Sequence, residues 1–222
     1  MALQSEIATV EQPVYYQEIT CLSDHDISVG FLVGKVMDVV HLALVNASSG
    51  ASQCPIGISF PEYRDLGSKG ADALVDDEEA GVERSVPIGS KIRLFSRQES
   101  DLQGLDLGTQ LKRLSDYVHL TSIRQLRRKG VKYAVYKRCQ PKSSKERLIR
   151  RQMKRQGLSE TQASELYRDF RPRHSRLPYV NMKSHSSGER FRLYIERQYV
   201  DPSDQWGFST YGLSSQVAVP EF

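Results

Sequence analysis

The sequence predicts an α+β fold in two parts, and three observations lead there. Apolar residues make up 39% of the 222 and charged residues 26%, the balance of a folded chain. Between residues 14 and 128, segments of period two alternate with segments of helical period. From residue 129 on, strand-like segments frame a short, strongly basic helix. The expected divisions are an N-terminal extension over 1–13, a larger domain over 14–128 and a smaller α+β domain over 129–222.

In the first part, VYYQEITCL (14–22) reads as a strand. Residues 28–46 follow as a helix, because Val33, Val36, Met37, Val40 and Leu44 recur at helical spacing. A Ser/Gly stretch from Asn46 to Ser52 ends it. PIGISF (55–60) is a short strand closed by Pro61. Residues 62–83, with Asp76-Asp77-Glu78-Glu79 at their centre, read as an exposed acidic loop. KIRLFS (91–96) alternates as a half-buried strand should. Residues 100–117 are expected to be helical, with Leu102, Leu105, Leu111 and Leu114 in the core, and YVHLTSI (117–123) to be a strand. The order βαββαβ is that of a ferredoxin-like (RRM-like) module. Such an order hosts many functions and assigns none.

In the second part, KYAVYKRCQ (132–140) reads as a strand. Ser143-x-x-Glu146 is a capping box opening a helix that stops at Gly157. A second box, Ser159-x-x-Gln162, opens a helix with Ala163, Leu166, Tyr167 and Phe170 on its apolar face. YVNMKS (179–184) and RFRLYIER (190–197) form a hairpin around Ser187-Gly188. The Gly-rich aromatic segment WGFSTYGLS (206–214) is expected to be the last strand.

Charge and cysteine usage narrow the function classes. Residues 124–155 hold fourteen Lys or Arg against one acid, Glu146, although the whole chain carries only +4. A run this dense repels itself unless a polyanion neutralises it, so nucleic acid is the expected partner. No helix-turn-helix pattern points to duplex DNA. Cys21, Cys54 and Cys139 are odd in number and widely spaced, which suits a reducing cytoplasm better than a disulfide framework. The five histidines show no metal-ligand spacing, so neither metal nor cofactor is expected. No uninterrupted apolar run approaches the roughly 18 residues of a membrane span, and MALQSEIATVEQPV lacks the regions of a secretory signal.

Several blocks are more specific. Arg138-Cys139-Gln140, the Arg-rich helix after it, SHSSGERFRLYI (184–195), FSTYGLSSQVAVPEF (208–222) and IGISFP (56–61) together resemble the type I-F CRISPR precursor-RNA endoribonuclease family. The resemblance runs from about residue 14 to the end. It implies a ferredoxin-like domain followed by a domain bearing an Arg-rich helix. It also implies cleavage on the 3′ side of a repeat stem-loop, tight retention of the product, and membership of the crRNA-guided surveillance complex; with no metal-ligand spacing in the chain, that cleavage is expected to be metal-independent.

Cleaving RNA without a metal requires that the 2′-OH lose its proton, attack in line, and that the leaving 5′-oxygen be protonated. Histidine suits the proton transfer. The family places its histidine on the first helix, which makes His41 the candidate general base; the alternative is a core histidine paired with Asp38. Ser184 and Ser186, two apart, would face the ribose together, or simply form the turn. On an extended chain His185 would point away from both. The resemblance further implies that Tyr211 orients the histidine and that Phe191 stacks under the terminal base pair, though both would also serve as half-buried strand residues.

Arg138 and Gln140, facing one way on a strand, can each grip a purine bidentately, guanine and adenine respectively, unless they are merely solvated. Arg147, Arg150, Arg151, Lys154 and Arg155 would contact phosphates, entering the major groove at the open end of a short hairpin. The expected partners are the crRNA repeat stem-loop and the other subunits of the type I-F complex. A catalytically inactive hairpin-binding subunit is the alternative.

Overall fold

The computed structural model describes residues 12–48, 51, 53–65, 88–127, 129–141, 145–168, 175 and 177–222. Most of the 1–13 extension, the acidic loop from residue 66 on, Ser143 of the first capping box, and Phe170 lie outside these residues.

In chain order the elements are β1 (Tyr15–Cys21), α1 (Val29–Ala47), β2 (Gly57–Ser59), β3 (Lys91–Ser96), α2 (Glu99–Gly104), α3 (Leu107–Gln110), β4 (Val118–Leu120) and β5 (Arg124–Gln125). There follow β6 (Lys132–Cys139), α4 (Lys145–Gln156), α5 (Glu160–Glu165), β7 (Tyr179–Lys183), β8 (Arg190–Val200) and β9 (Val219–Glu221). The fold is α+β with two antiparallel sheets. The first runs β2-β3-β1-β4, with β5 also pairing β1, and the second runs β7-β8-β6-β9.

Three expectations need correction. The helix expected over 100–117 is three short pieces, α2, α3 and a 3₁₀ turn over Lys112–Leu114. The break falls at Asp106, whose φ of +43° is left-handed and cannot continue a helix. Leu102, Leu105 and Leu111 are buried all the same, because their spacing suits successive turns as well as one long helix. The segment 206–214 is not a strand. Phe208 makes one isolated bridge to Cys54, and the last strand is β9. Helix α5 stops at Glu165, leaving Leu166 60% exposed, although its capping box is formed as expected.

Helix α1 connects the two sheets. Ser28 caps it, its hydroxyl accepting from the Phe31 N–H at 3.3 Å. Its 19 residues are long and apolar enough by length and composition to cross a bilayer, but here the helix is a core element. Leu32, Val33, Val36, Met37, Val40 and Leu44 are at most 1% exposed. They join one cluster with Ile19, Ile92 and Leu94 of the first sheet and Val180, Met182, Leu193 and Ile195 of the second.

Contact with the second sheet is made backbone to backbone. A Cβ on Gly34 would lie 2.4 Å from the carbonyl oxygen of Asn181 in β7. One turn later, Asp38 Oδ1 accepts the N–H of Lys183 at 3.0 Å. Together the two contacts fix the register of α1 along the edge strand.

Gly34→Ala tests this. Alanine is the better helix former by about 1 kcal/mol, but the clash is with a carbonyl that has no rotamer to change. We expect net destabilisation of about 1–3 kcal/mol, measured by denaturant unfolding; a more stable variant would show that the approach is not tight.

Candidate active site

The C-terminal return, 206–214, is what brings Thr210 and Tyr211 to α1. The Trp206 Nε1–H donates to the Pro55 carbonyl at 2.6 Å, and Phe208 exchanges backbone hydrogen bonds with Cys54 at 2.9 Å each way. A tight turn follows, with Gly212 N donating to Ser209 O at 2.8 Å and Ser209 N to Leu213 O at 2.9 Å. Gly212 sits at φ +68° over Ile58, where a Cβ would come within 2.4 Å of a side-chain carbon. Only glycine meets both conditions. The turn presents the Thr210 carbonyl and the Tyr211 ring to α1.

His41 receives both. Its Nδ1 lies 2.8 Å from the Thr210 oxygen, and its ring stacks on Tyr211 with centroids 4.0 Å apart and planes within 1°. A carbonyl can only accept, so Nδ1 carries a proton, and in the uncharged form of the ring the free lone pair is on Nε2. The half-buried histidine is thus held in one orientation, tautomer included. It does not pair with Asp38, which is taken up by Lys183.

Beyond Lys183 the chain turns rather than running on extended. Ser184 N donates to Glu189 O and Gly188 N to Ser184 O, both at 2.8 Å, with Gly188 at φ +73°. The hydroxyls of Ser184 and Ser186 do meet, 3.2 Å apart, and Ser184 Oγ also accepts the Ser187 N–H at 3.3 Å. The turn also changes the reading of His185. Its ring does not point away from the site but lies 6.3 Å, centroid to centroid, from that of His41.

Strand β6 supplies the other side. Arg138 stands opposite Ile195 of β8 and shares the inward face of Tyr136. It projects past the end of the core and is therefore exposed. Its guanidinium lies 5.1 Å from the Tyr211 ring centre and 5.7 Å from that of Phe191. With the Gln140 amide turned so that its oxygen faces Arg138, that oxygen accepts from Nη2 at 2.9 Å and Nε at 3.3 Å. Cys139 between them faces the opposite way. Burial, then a hydrogen bond to Glu196 at 3.3 Å, pushes its thiol up to about 11, so it is no nucleophile at neutral pH.

The structure thus brings His41, Tyr211, Arg138, Phe191 and Gln140 into one contiguous chain of contacts, with Ser184 and Ser186 on the turn that carries His185. Arg147, Arg150, Arg151, Lys154 and Arg155 are not among them. They are exposed on one side of α4, which packs on α5 and has no fully buried side chain. What joins them to the site is the chain itself, since α4 begins shortly after Gln140. Sequence reasoning missed the Thr210 carbonyl and the tie between Asp38 and Lys183. A backbone acceptor leaves no mark in residue type, although Gly212 marks the turn that presents it.

Residues 16–222 match the family model described as CRISPR-associated protein (Cas_Csy4). The CRISPR-associated endonuclease Cas6/Csy4 of Escherichia coli (strain UTI89 / UPEC) is 30% identical over 210 residues, covering 94% of this chain and 99% of that protein. The CRISPR-associated endonuclease Cas6/Csy4 of Pseudomonas aeruginosa (strain UCBPP-PA14) is 29% identical over 218 residues, with the same coverage of 94% and 99%. The solved structure of CRISPR endoribonuclease Cse3 bound to 19 nt RNA aligns over 95% of this chain and 100% of its own, at 10% identity and a TM-score of 0.35. The match over 16–222 takes in both sheets and every residue of the site, and the chain belongs to the Cas_Csy4 family, the type I-F processing enzymes that its motifs resemble.

Proposed function

We propose that this protein is a metal-independent endoribonuclease that binds the repeat stem-loop of precursor crRNA and cuts on its 3′ side. In this reading it then keeps the product, as a cytoplasmic subunit of the type I-F surveillance complex. The observation that carries the reading is the orientation of His41: Nδ1–H held by Thr210, one face on Tyr211, Nε2 free. In the mechanism, Nε2 takes the proton of the 2′-OH, and the oxygen attacks the adjacent phosphorus in line. Ser184 and Ser186 hold the ribose so that this attack is geometrically open. The products are a 2′,3′-cyclic phosphate and a 5′-hydroxyl.

Recognition falls to the other residues of the site. Phe191, already beneath the Arg138 guanidinium, would stack on the lowest base pair, and Arg138 and Gln140 would read base edges beside it. The α4 cations would hold phosphates along the groove. The first sheet's order β2-β3-β1-β4 supports a ferredoxin-like reading of residues 14–128, with 129–222 as the RNA-binding domain.

Incubation of the protein with a repeat hairpin in EDTA is expected to give cleavage with cyclic-phosphate ends; a strict need for Mg²⁺ or Mn²⁺ would end the metal-independent reading. At the same hairpin, His41→Ala should slow cleavage by about 10²-fold or more while affinity is kept, and a 2′-deoxy nucleotide at the cut should act alike. Normal cleavage by His41→Ala would mean that the base is another residue.

The two kinds of recognition separate by salt and sequence. Arg151→Ala should weaken all hairpins alike and lower the log–log salt slope by roughly 0.7 to 0.9. Arg138→Ala should cost about 1–3 kcal/mol on the cognate hairpin and much less on one with a swapped base pair. Equal loss on both hairpins would make Arg138 another phosphate contact.

A further inference from the structure

The reaction moves two protons, and the geometry of His41 accounts for one. Its Nδ1–H is committed to Thr210, so Nε2 is the single nitrogen left for chemistry. In an in-line displacement the 5′-oxygen departs on the side of the phosphorus opposite the attacking 2′-oxygen. A nitrogen beside the 2′-oxygen cannot also protonate the leaving group in the same step. A second donor is needed, across the phosphate from His41.

The neighbours of His41 differ in fitness for this. Tyr211 lies flat on the ring, with Arg138 as its other neighbour. The Ser184 and Ser186 hydroxyls are too weakly acidic to give up a proton near neutral pH. Among the described residues, His25 sits in the loop before α1 beside Asp26, and His119 is exposed on β4. His185 alone of the described histidines comes within 6.3 Å of His41, its ring tilted by 35° and exposed to solvent. That separation admits one phosphate between two rings, each within hydrogen-bonding reach, about 2.8 Å, of a different oxygen. The placement is built in. Asp38, one turn before His41 on the same helix, holds the N–H of Lys183, and the tight turn closed at Gly188 then carries His185 back over α1.

Resting on the reading of His41 as the base, we propose that His185, as the imidazolium, is the general acid that protonates the leaving 5′-oxygen. The step balances. The 2′-O–H proton passes to His41 Nε2, the bond from the 2′-oxygen to phosphorus forms, the bond from phosphorus to the 5′-oxygen breaks, and that oxygen takes the proton of His185. A cyclic phosphate and a 5′-hydroxyl result, with no other reactant, and solvent restores both rings.

The test replaces the leaving atom. A thiolate departs without a proton, so a hairpin with sulfur in place of the bridging 5′-oxygen at the cut has no need of an acid. Single-turnover cleavage of the oxygen and sulfur hairpins is measured for the wild type, His185→Gln and His41→Ala, with hairpin affinity alongside. His185→Gln should cut the oxygen hairpin slower by about 10²-fold or more, bind it normally, and cut the sulfur hairpin at the wild-type rate. His41→Ala should be slow on both. A His185→Gln enzyme that is equally slow on both hairpins, or at wild-type rate on the oxygen one, overturns the proposal. His41→Ala at wild-type rate on both would instead remove the base assignment, and the acid with it.

Discussion

Helix α1 belongs by sequence to the first sheet, yet the surroundings of His41 depend on its touching the second. The approach is possible only because Gly34 has no Cβ where Asn181 of β7 presents its carbonyl. A glycine inside a helix costs about 1 kcal/mol against alanine, and the core apolar side chains of α1 on either side of it outweigh that many times over. With the helix seated, Asp38 can reach the Lys183 N–H, and the Ser184–Glu189 turn is placed beside His41. The C-terminal return depends on similar close approaches. A Cβ on Gly57 would meet Phe208 and Val219 at 2.5 and 2.6 Å, so the first sheet could not accept the segment that carries Thr210 and Tyr211.

Much of this was legible in the sequence because it lies in periodicity. The strand KIRLFS is β3 to the residue, the stripe from Val33 to Leu44 is the buried side of α1, and the parity of Phe191, Leu193 and Ile195 puts them on one face. The same parity places Arg138 and Gln140 together, close enough to bond once the Gln140 amide oxygen faces the guanidinium. What was not legible depends on tertiary geometry. The return at 206–214 has a strand's composition but follows a path set by Gly212 over Ile58. The broken helix over 100–117 turns on the single left-handed Asp106. An extended chain would direct His185 away from the serines, whereas the turn here brings its ring to 6.3 Å from that of His41.

Tyr211 is shared between two tasks. One face of its ring covers His41, and the Arg138 guanidinium lies within 5.1 Å of its centre. The same ring therefore contacts both the imidazole of His41 and the guanidinium of Arg138, so a displacement of Tyr211 would alter the surroundings of both. The Thr210 carbonyl adds the third constraint, and all of it is carried by one turn of the C-terminal return.

If Arg138 and Gln140 read base edges as proposed, the bond available between them bears on how the wrong RNA would be rejected. With the Gln140 amide turned toward it, the guanidinium already has an internal ligand, one amide oxygen accepting two N–H groups. Any nucleotide that claims Arg138 must therefore outcompete Gln140, not just fill an empty position. A phosphate oxygen met in passing replaces one acceptor by another and gains little. A base pair that engages the arginine and the freed amide at once replaces one bidentate contact by two. Selectivity at this point would then be an exchange equilibrium with its reference state written into the strand.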